Sequence, residues 1–305
     1  MKFADYESIF LQNCNAKNLS LGTIKNYQYC LKTFFDFCQQ RNYKDLEQIN
    51  TYIMTDFQVY MNRVYSSHTA RDKFVVIKAF FAFLTKRGFL ESNPMEDMSR
   101  PKQSNKIIYS FAKEEVKEIL SMFDRSEFIG LRNYTIINIL FGTGIRKSEL
   151  LKITAEDIDW GSNLIKIYGK GNKERFVPIG SSLQRMILRY IKARKLYIAE
   201  KKKTDNIRLF ISKDCRPLSV GGLNTVFAHI KENKPHWSTR VSAHTFRHTF
   251  AKFFLLNGGD LFTLQKILGH EDISFTRLYI DLNTKEVSIQ NEKYNPLENS
   301  KWEYY

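Results

Sequence analysis

The chain has 305 residues, 43% hydrophobic and 26% charged, proportions of a folded globular protein rather than a disordered or collagen-like one. At about 150 residues per domain it has room for two cores. Its 47 Lys+Arg against 32 Asp+Glu leave a formal charge of +15, which points to a polyanionic partner, nucleic acid ahead of a membrane surface. No stretch approaches the ~20 apolar residues of a membrane helix. Residues 1–7 carry acids and no apolar signal-peptide core, so a cytoplasmic protein is expected.

Four cysteines, Cys14, Cys30, Cys38 and Cys215, lack C-x-x-C spacing. They read as reduced, buried thiols, not as a disulfide framework or a zinc site. Divided at Asn105, the first part holds 14 Lys+Arg and 10 Asp+Glu, the remainder 33 and 22. Both parts are basic, as two domains on one polyanion would be.

In chain order, Ser20-Leu21-Gly22-Thr23 predicts a helix start, followed by Tyr27, Leu31, Phe34, Phe35 and Cys38 at helical spacing. Residues 52–64 predict a short helix. Residues 67–84 predict a longer one with Phe74, Ile77, Phe80, Phe81 and Leu84 on its apolar face, and Asn93-Pro94 should stop a further short helix. These make a small all-α domain over residues 1–100. Residues 101–110, polar and basic with a proline, read as a linker. A second domain opens at Phe111, with a buried helix over 133–141 ending at Gly142-Thr143-Gly144. A strand pair follows, 164–168 and 174–179, joined by the turn Gly169-Lys170-Gly171-Asn172-Lys173. Several helices complete the chain.

Two phosphate-loop readings fail. Gly142-Thr143-Gly144-Ile145-Arg146-Lys147-Ser148 places Arg146 where a P-loop needs Gly, and Lys147 where a dinucleotide fingerprint needs its third Gly. His244-Thr245-Phe246-Arg247-His248 has a zincin's histidine spacing without its glutamate. Neither a cofactor nor a metal is expected.

Several polar residues in apolar settings remain, each with an ordinary explanation. Arg146 and Glu149 are one helical turn apart and read equally as a structural ion pair. His244 and Arg247 share a helix face, where a histidine is usually a satisfied core residue. His270, after Gly269, has the look of a helix terminus. Tyr279 is one of 16 tyrosines. Together they form a set with one chemistry, metal-free attack on a phosphodiester. Guanidiniums bind non-bridging oxygens and stabilise transition-state charge. A tyrosine can form a covalent phosphoester, although ionising a phenol of pKa ~10 at neutral pH costs about 4 kcal/mol that nearby cations must offset. A hairpin lysine can protonate the departing oxygen.

Three motifs occur in family order: Gly142-Thr143-Gly144-Ile145-Arg146-Lys147-Ser148-Glu149-Leu150-Leu151, the hairpin 169–175, and His244-Thr245-Phe246-Arg247-His248 continuing through Leu268-Gly269-His270 to Thr276-Arg277-Leu278-Tyr279. With them the chain resembles the tyrosine site-specific recombinases, in the branch of Xer proteins and phage or transposon integrases. The match is strong over residues 111–290 and weaker in the first domain, through Thr23, Tyr27, Phe34, Phe81 and Asn93-Pro94. Phe246 stands where Leu is usual.

The resemblance implies a mainly helical fold with a small β-sheet, a core-binding domain and an α+β catalytic domain clamping DNA. It implies Tyr279 as nucleophile, Arg146 and Arg247 as the phosphate clamp, and Lys170 as general acid, with Lys173 the alternative on the same turn. His244 would assist proton transfer, His270 would bind the phosphate and support the tyrosine, and Glu149 would position Arg146. Lys173 and Arg175 would contact the DNA backbone; Lys25, Arg71 and Lys73 are further candidate DNA contacts. The reaction would leave a 3′-phosphotyrosyl bond and pass through a Holliday junction. The active form would be a homotetramer on a double-stranded recombination site, or a heterotetramer with a related recombinase, docked through a segment at about 283–305. A directionality or activating factor is a further possible partner, and the protein would be nucleoid-associated. Competing readings are a non-catalytic DNA-binding protein on this scaffold and a type IB topoisomerase-like enzyme.

Overall fold

The computed structural model describes residues 2–101, 109–169, 173–204 and 207–269. The chain falls into two compact units divided between Lys106 and Ile107.

The first unit is built from α1 (Phe3–Ala16), α2 (Leu21–Gln40), α3 (Thr51–Val64) and α4 (Ser67–Lys86), with a 3₁₀ turn at Leu46–Gln48. Ser20, Asn50 and Ser66 cap α2, α3 and α4 by accepting the backbone N–H groups of Thr23, Ile53 and Thr69. The helices close on an aromatic core in which Phe34 meets Phe57, Phe81 and Phe35 at centroid distances of 5.1, 5.5 and 5.9 Å. α1 is a helix that the periodicity did not single out. The short helix expected before Asn93-Pro94 is absent, because after Arg87 the backbone runs through turns and bends.

Lys73 corrects one sequence expectation. Its side chain is 1% exposed and donates to Thr33 Oγ1 at 2.7 Å, with the ammonium 3.8 Å from the Tyr29 ring centroid and 4.7 Å from that of Tyr65. A cation held there cannot reach a phosphate. Burial lowers its pKa, against a smaller opposing effect of Cys30. Lys73→Met keeps the volume, and Thr33 keeps its bond to the Tyr29 carbonyl. The substitution should change stability by less than about 1 kcal/mol and DNA affinity by less than about twofold. Thermal melting and fluorescence anisotropy check both. Lys25 is exposed and Arg71 half-buried.

The second unit contains α5 (Lys113–Ser121), α6 (Phe128–Thr143), α7 (Lys147–Leu150), a sheet of β1 (Ile158–Asp159), β2 (Leu164–Tyr168) and β3 (Glu174–Pro178), then α8 (Ser181–Glu200), α9 (Val220–Asn233), α10 (Ala243–Leu256) and α11 (Leu261–Leu268). The sheet is antiparallel in the order β1-β2-β3, with Ile165 opposite Val177 and Ile167 opposite Arg175. β1 adds an edge to the expected pair. α6 is the central helix, packed against α8 and α10 and buried at Ile136, Ile137, Ile139 and Leu140. The Phe111 N–H donates to Thr249 Oγ1 at 2.9 Å, tying the start of the unit to α10.

All four cysteines are buried thiols. Burial pushes the Cys38 thiol up to about 12, so it stays protonated at neutral pH. No helix among the described residues is long and apolar enough to cross a membrane.

Candidate active site

The site forms where three chain segments meet the end of α11. α6 stops at Gly144, whose left-handed backbone (φ 62°) turns the chain sharply. Ile145, 1% exposed, anchors that turn in the core and delivers Arg146 to the start of α7. α10 begins at Ser242, which caps it by accepting the Thr245 N–H at 3.2 Å. Phe246 is fully buried against Phe111, 4.9 Å between centroids, which fixes the rotation of α10 and so the direction of Arg247.

α11 ends at Gly269, also left-handed at φ 65°. The last carbonyls of a helix lack intrahelical donors and lie at the negative end of its dipole. Here guanidiniums satisfy them. Arg175 Nε donates to the Ile267 carbonyl at 2.9 Å and Arg247 Nη2 to that of Leu268 at 2.8 Å. Arg146 reaches the Leu268 and Gly269 carbonyls at 3.4 and 3.3 Å. Arg247 also donates to the Gly144 carbonyl at 2.8 Å, closing the loop back to α6. A Cβ at position 269 would lie 2.9 Å from Arg175 Cδ, so the close passage of this arginine and the backbone angle both call for glycine.

Glu149 is the one acid in direct contact with these arginines among the described residues. It accepts Arg175 Nη1 and Nη2 on its two oxygens at 2.8 Å each, the Arg146 backbone N–H at 2.7 Å and Arg146 Nη1 at 3.0 Å. Burial by itself would raise the carboxyl pKa. The bonds from Arg175 and Arg146 outweigh it and hold the group at about 2. Two guanidiniums on one carboxylate, with Arg247 bound to the same Leu268 carbonyl as Arg146, leave a surplus of positive charge. Arg146, with 38% of its side chain exposed, carries that charge to solvent, while Arg247 is only 2% exposed.

His244 lies one turn before Arg247, at the solvent-reached rim, with its ring 6.2 Å from that of His248. Burial lowers its pKa, and the charges of Arg247, Arg146, Lys147 and Arg240 lower it further. It is a neutral imidazole at pH 7 in the protein without ligand.

Linkage gives both groups the same sign. The unfolded chain takes up a proton at His244 near the ordinary 6.5 before the folded protein does, so stability falls as pH drops through 6.5. Glu149 contributes stability in full above its ordinary 4.5, and that is lost as pH falls toward about 2. Melting temperature against pH should fall in two stages on the acid side. His244→Gln should flatten the first stage, and Glu149→Gln the second; superimposable slopes in wild type and variants would refute the assignments.

Of the sequence-predicted site residues, Arg146, Glu149, His244 and Arg247 are brought together. Lys173 is exposed at the base of the hairpin, whose turn is closed by the Gly169 N–H donating to the Lys173 carbonyl at 2.8 Å. Lys170, His270, Tyr279 and the segment 283–305 lie outside the described residues. Arg175 departs from expectation. With 14% of its side chain exposed and its donors on Glu149 and Ile267, it faces inward and is not placed as a DNA-backbone contact. The signal was the strand alternation, because Arg175 shares a face with buried Val177 while Phe176, 57% exposed, points out. No group of three or more His, Cys, Asp or Glu that could hold a metal gathers among the described residues.

Comparison with known proteins aligns with this geometry. The model described as Phage integrase family matches residues 110–286, and the Phage integrase, N-terminal SAM-like domain matches residues 10–88. Tyrosine recombinase XerC of Anoxybacillus flavithermus is 33% identical over 267 residues, spanning 86% of this chain and 88% of the relative. The XerC of Oceanobacillus iheyensis is 30% identical over 287 residues, 93% of each. Among solved structures, XerH recombinase bound to palindromic difH, a post-cleavage complex, superimposes with a TM-score of 0.75 at 22% identity, covering 94% of this chain and 84% of that one. The Tn1549 transposon integrase with circular intermediate DNA gives 0.73 at 17% identity, covering 95% and 99%.

Proposed function

The chain belongs to the phage integrase family of tyrosine recombinases, and on that premise we propose that it is a site-specific DNA recombinase working through a 3′-phosphotyrosyl intermediate. The observation that carries this reading is the convergence of Arg146 and Arg247. Arriving from different helices, they donate to the same Leu268 carbonyl, two residues before His270. Two guanidiniums focused on one point, beside a neutral imidazole, suit a phosphate oxygen that gains charge as phosphorus is attacked.

In this mechanism Arg146 and Arg247 hold the non-bridging oxygens of the scissile phosphate, with His270 as a further donor. The Tyr279 oxygen attacks phosphorus, the bond to the 5′-oxygen breaks, and Lys170 supplies the proton that leaves with it. His244, neutral at pH 7, assists the transfer of the tyrosine proton. Bond energy is kept in the phosphotyrosine, so rejoining to a partner strand needs no nucleotide cofactor. Residues 1–100 serve as a core-binding domain, 101–110 as a linker and 111–305 as the catalytic domain. Exposed Lys25 and the half-buried Arg71 are candidate DNA contacts. The segment at about 283–305 docks on a neighbouring subunit in a tetramer on DNA, homomeric or shared with a related recombinase. Similarity to XerC proteins over 86% and 93% of this chain favours a Xer-type enzyme, acting in dimer resolution or at the ends of a mobile element.

The test is a nicked suicide duplex carrying a candidate site from the source genome, incubated in EDTA and run on a denaturing gel. Wild type should give a covalent protein–DNA band and Tyr279→Phe none, a loss of at least about 10³-fold. A native-gel shift with no covalent band from either protein would favour the binding-only reading.

A further inference from the structure

We propose that Arg175 is a positioning residue for strand cleavage, locking β3 to the Glu149–Arg146 pair and to the last turn of α11. The inference rests on the recombinase reading and goes beyond its catalytic set. Arg175 is five residues after Lys170 and stands on β3 opposite Ile167. Its one planar group joins three elements. Nη1 and Nη2 span the two oxygens of Glu149 at 2.8 Å, and Nε holds the Ile267 carbonyl at 2.9 Å.

These bonds matter because Arg146 is weakly held elsewhere. Its contacts to the Leu268 and Gly269 carbonyls are 3.4 and 3.3 Å, whereas its bond to Glu149 Oε1 is 3.0 Å and its backbone N–H bond to Oε2 is 2.7 Å. Glu149 therefore sets the direction of the Arg146 guanidinium, and Arg175 sets Glu149. A lysine cannot reproduce this, since one ammonium does not span both carboxylate oxygens and a helix carbonyl. Displacing a catalytic group by about 1 Å costs on the order of 10²-fold in rate. The same arginine ties β3 to the Ile267 carbonyl in the last turn of α11, so β3 and the phosphate clamp share one reference point.

The experiment compares single-turnover suicide cleavage, DNA affinity and its salt dependence in wild type, Arg175→Ala, Arg175→Lys, Glu149→Gln and Arg175→Ala/Glu149→Gln. Arg175→Ala should cleave roughly 10²-fold more slowly while its affinity stays within about threefold and its log K against log salt slope is unchanged. Arg175→Lys keeps charge and bulk. It should fold even if the alanine variant fails to, and cleave at least about tenfold more slowly than wild type at equal affinity. The double variant should be no slower than the slower single one, because both act through the same contact. A salt slope reduced by about 0.9 would make Arg175 a phosphate contact and overturn the proposal. So would cleavage by Arg175→Lys within threefold of wild type, or additive single effects. A wild type that forms no covalent product overturns the recombinase reading itself, and this inference with it.

Discussion

Arg247→Ala should abolish detectable strand cleavage and loosen the catalytic unit at the same time. The side chain is 2% exposed, and both Nη groups are committed at 2.8 Å, one to the Gly144 carbonyl and one to that of Leu268. Its removal takes away one of the two proposed phosphate-binding guanidiniums, a change expected to cost at least 10²–10³-fold in rate. It also strands two carbonyls and opens a void between α6, α10 and α11. Leaving buried acceptors unsatisfied costs about 1–3 kcal/mol, and the void adds to it. The two effects are separable. Arg247→Lys keeps the charge and can satisfy one carbonyl, so it should recover much of the melting temperature. It lacks the planar fork that spans two acceptors and should still cleave at least about tenfold more slowly than wild type. Single-turnover cleavage beside thermal melting reads both. An alanine variant that cleaved within tenfold of wild type would remove Arg247 from the proposed mechanism.

Much of this architecture was legible in the sequence where local signals and tertiary packing agree. Ser20 caps α2, the apolar stripe of α4 faces the core, and β2 pairs antiparallel with β3, each as its spacing predicted. The two misplaced charges share one cause, namely that charge was read as surface. Lys73 sits between Ala70 and Ile77 on the same helical stripe as Phe74, so the period of 3.6 already placed it inward. Its ammonium is accommodated by Thr33 and two tyrosine rings that no local pattern announces. Arg175 likewise occupies an inward strand position. What sequence could not give is the role of the α11 terminus, because a backbone carbonyl carries no residue signature. The motif residues Arg146, Glu149 and Arg247 were found as types and spacings, and the meeting of Arg146 and Arg247 at Leu268 is a property of the fold alone.

Gly144 and Gly142 stand two residues apart in the first motif and should respond oppositely to the same substitution. Gly142 lies within α6, and a Cβ there would meet Leu183 Cδ2 at 3.4 Å, an ordinary contact. Gly142→Ala should be neutral or stabilising by up to about 1 kcal/mol, since alanine loses less backbone entropy in a helix. At Gly144, φ is 62° and a Cβ would stand 2.4 Å from Phe250 Cδ1 and 2.8 Å from Leu268 Cδ2. The left-handed backbone costs alanine about 1–2 kcal/mol and the overlap about 1–3 more, so Gly144→Ala should destabilise by roughly 2–4 kcal/mol. The overlap can be separated from the backbone term. Phe250→Ala removes the nearest clash, so the double variant should lose less stability than the two single losses together, while the backbone part persists. Cleavage should follow the geometry. Relief at Gly144 displaces the carbonyl that Arg247 holds and the turn that delivers Arg146, which at about 1 Å is worth on the order of 10²-fold. Melting curves and suicide-substrate rates on the four variants check this. Equal behaviour of the two glycines would mean that the left-handed turn is not what sets the distance between the arginines.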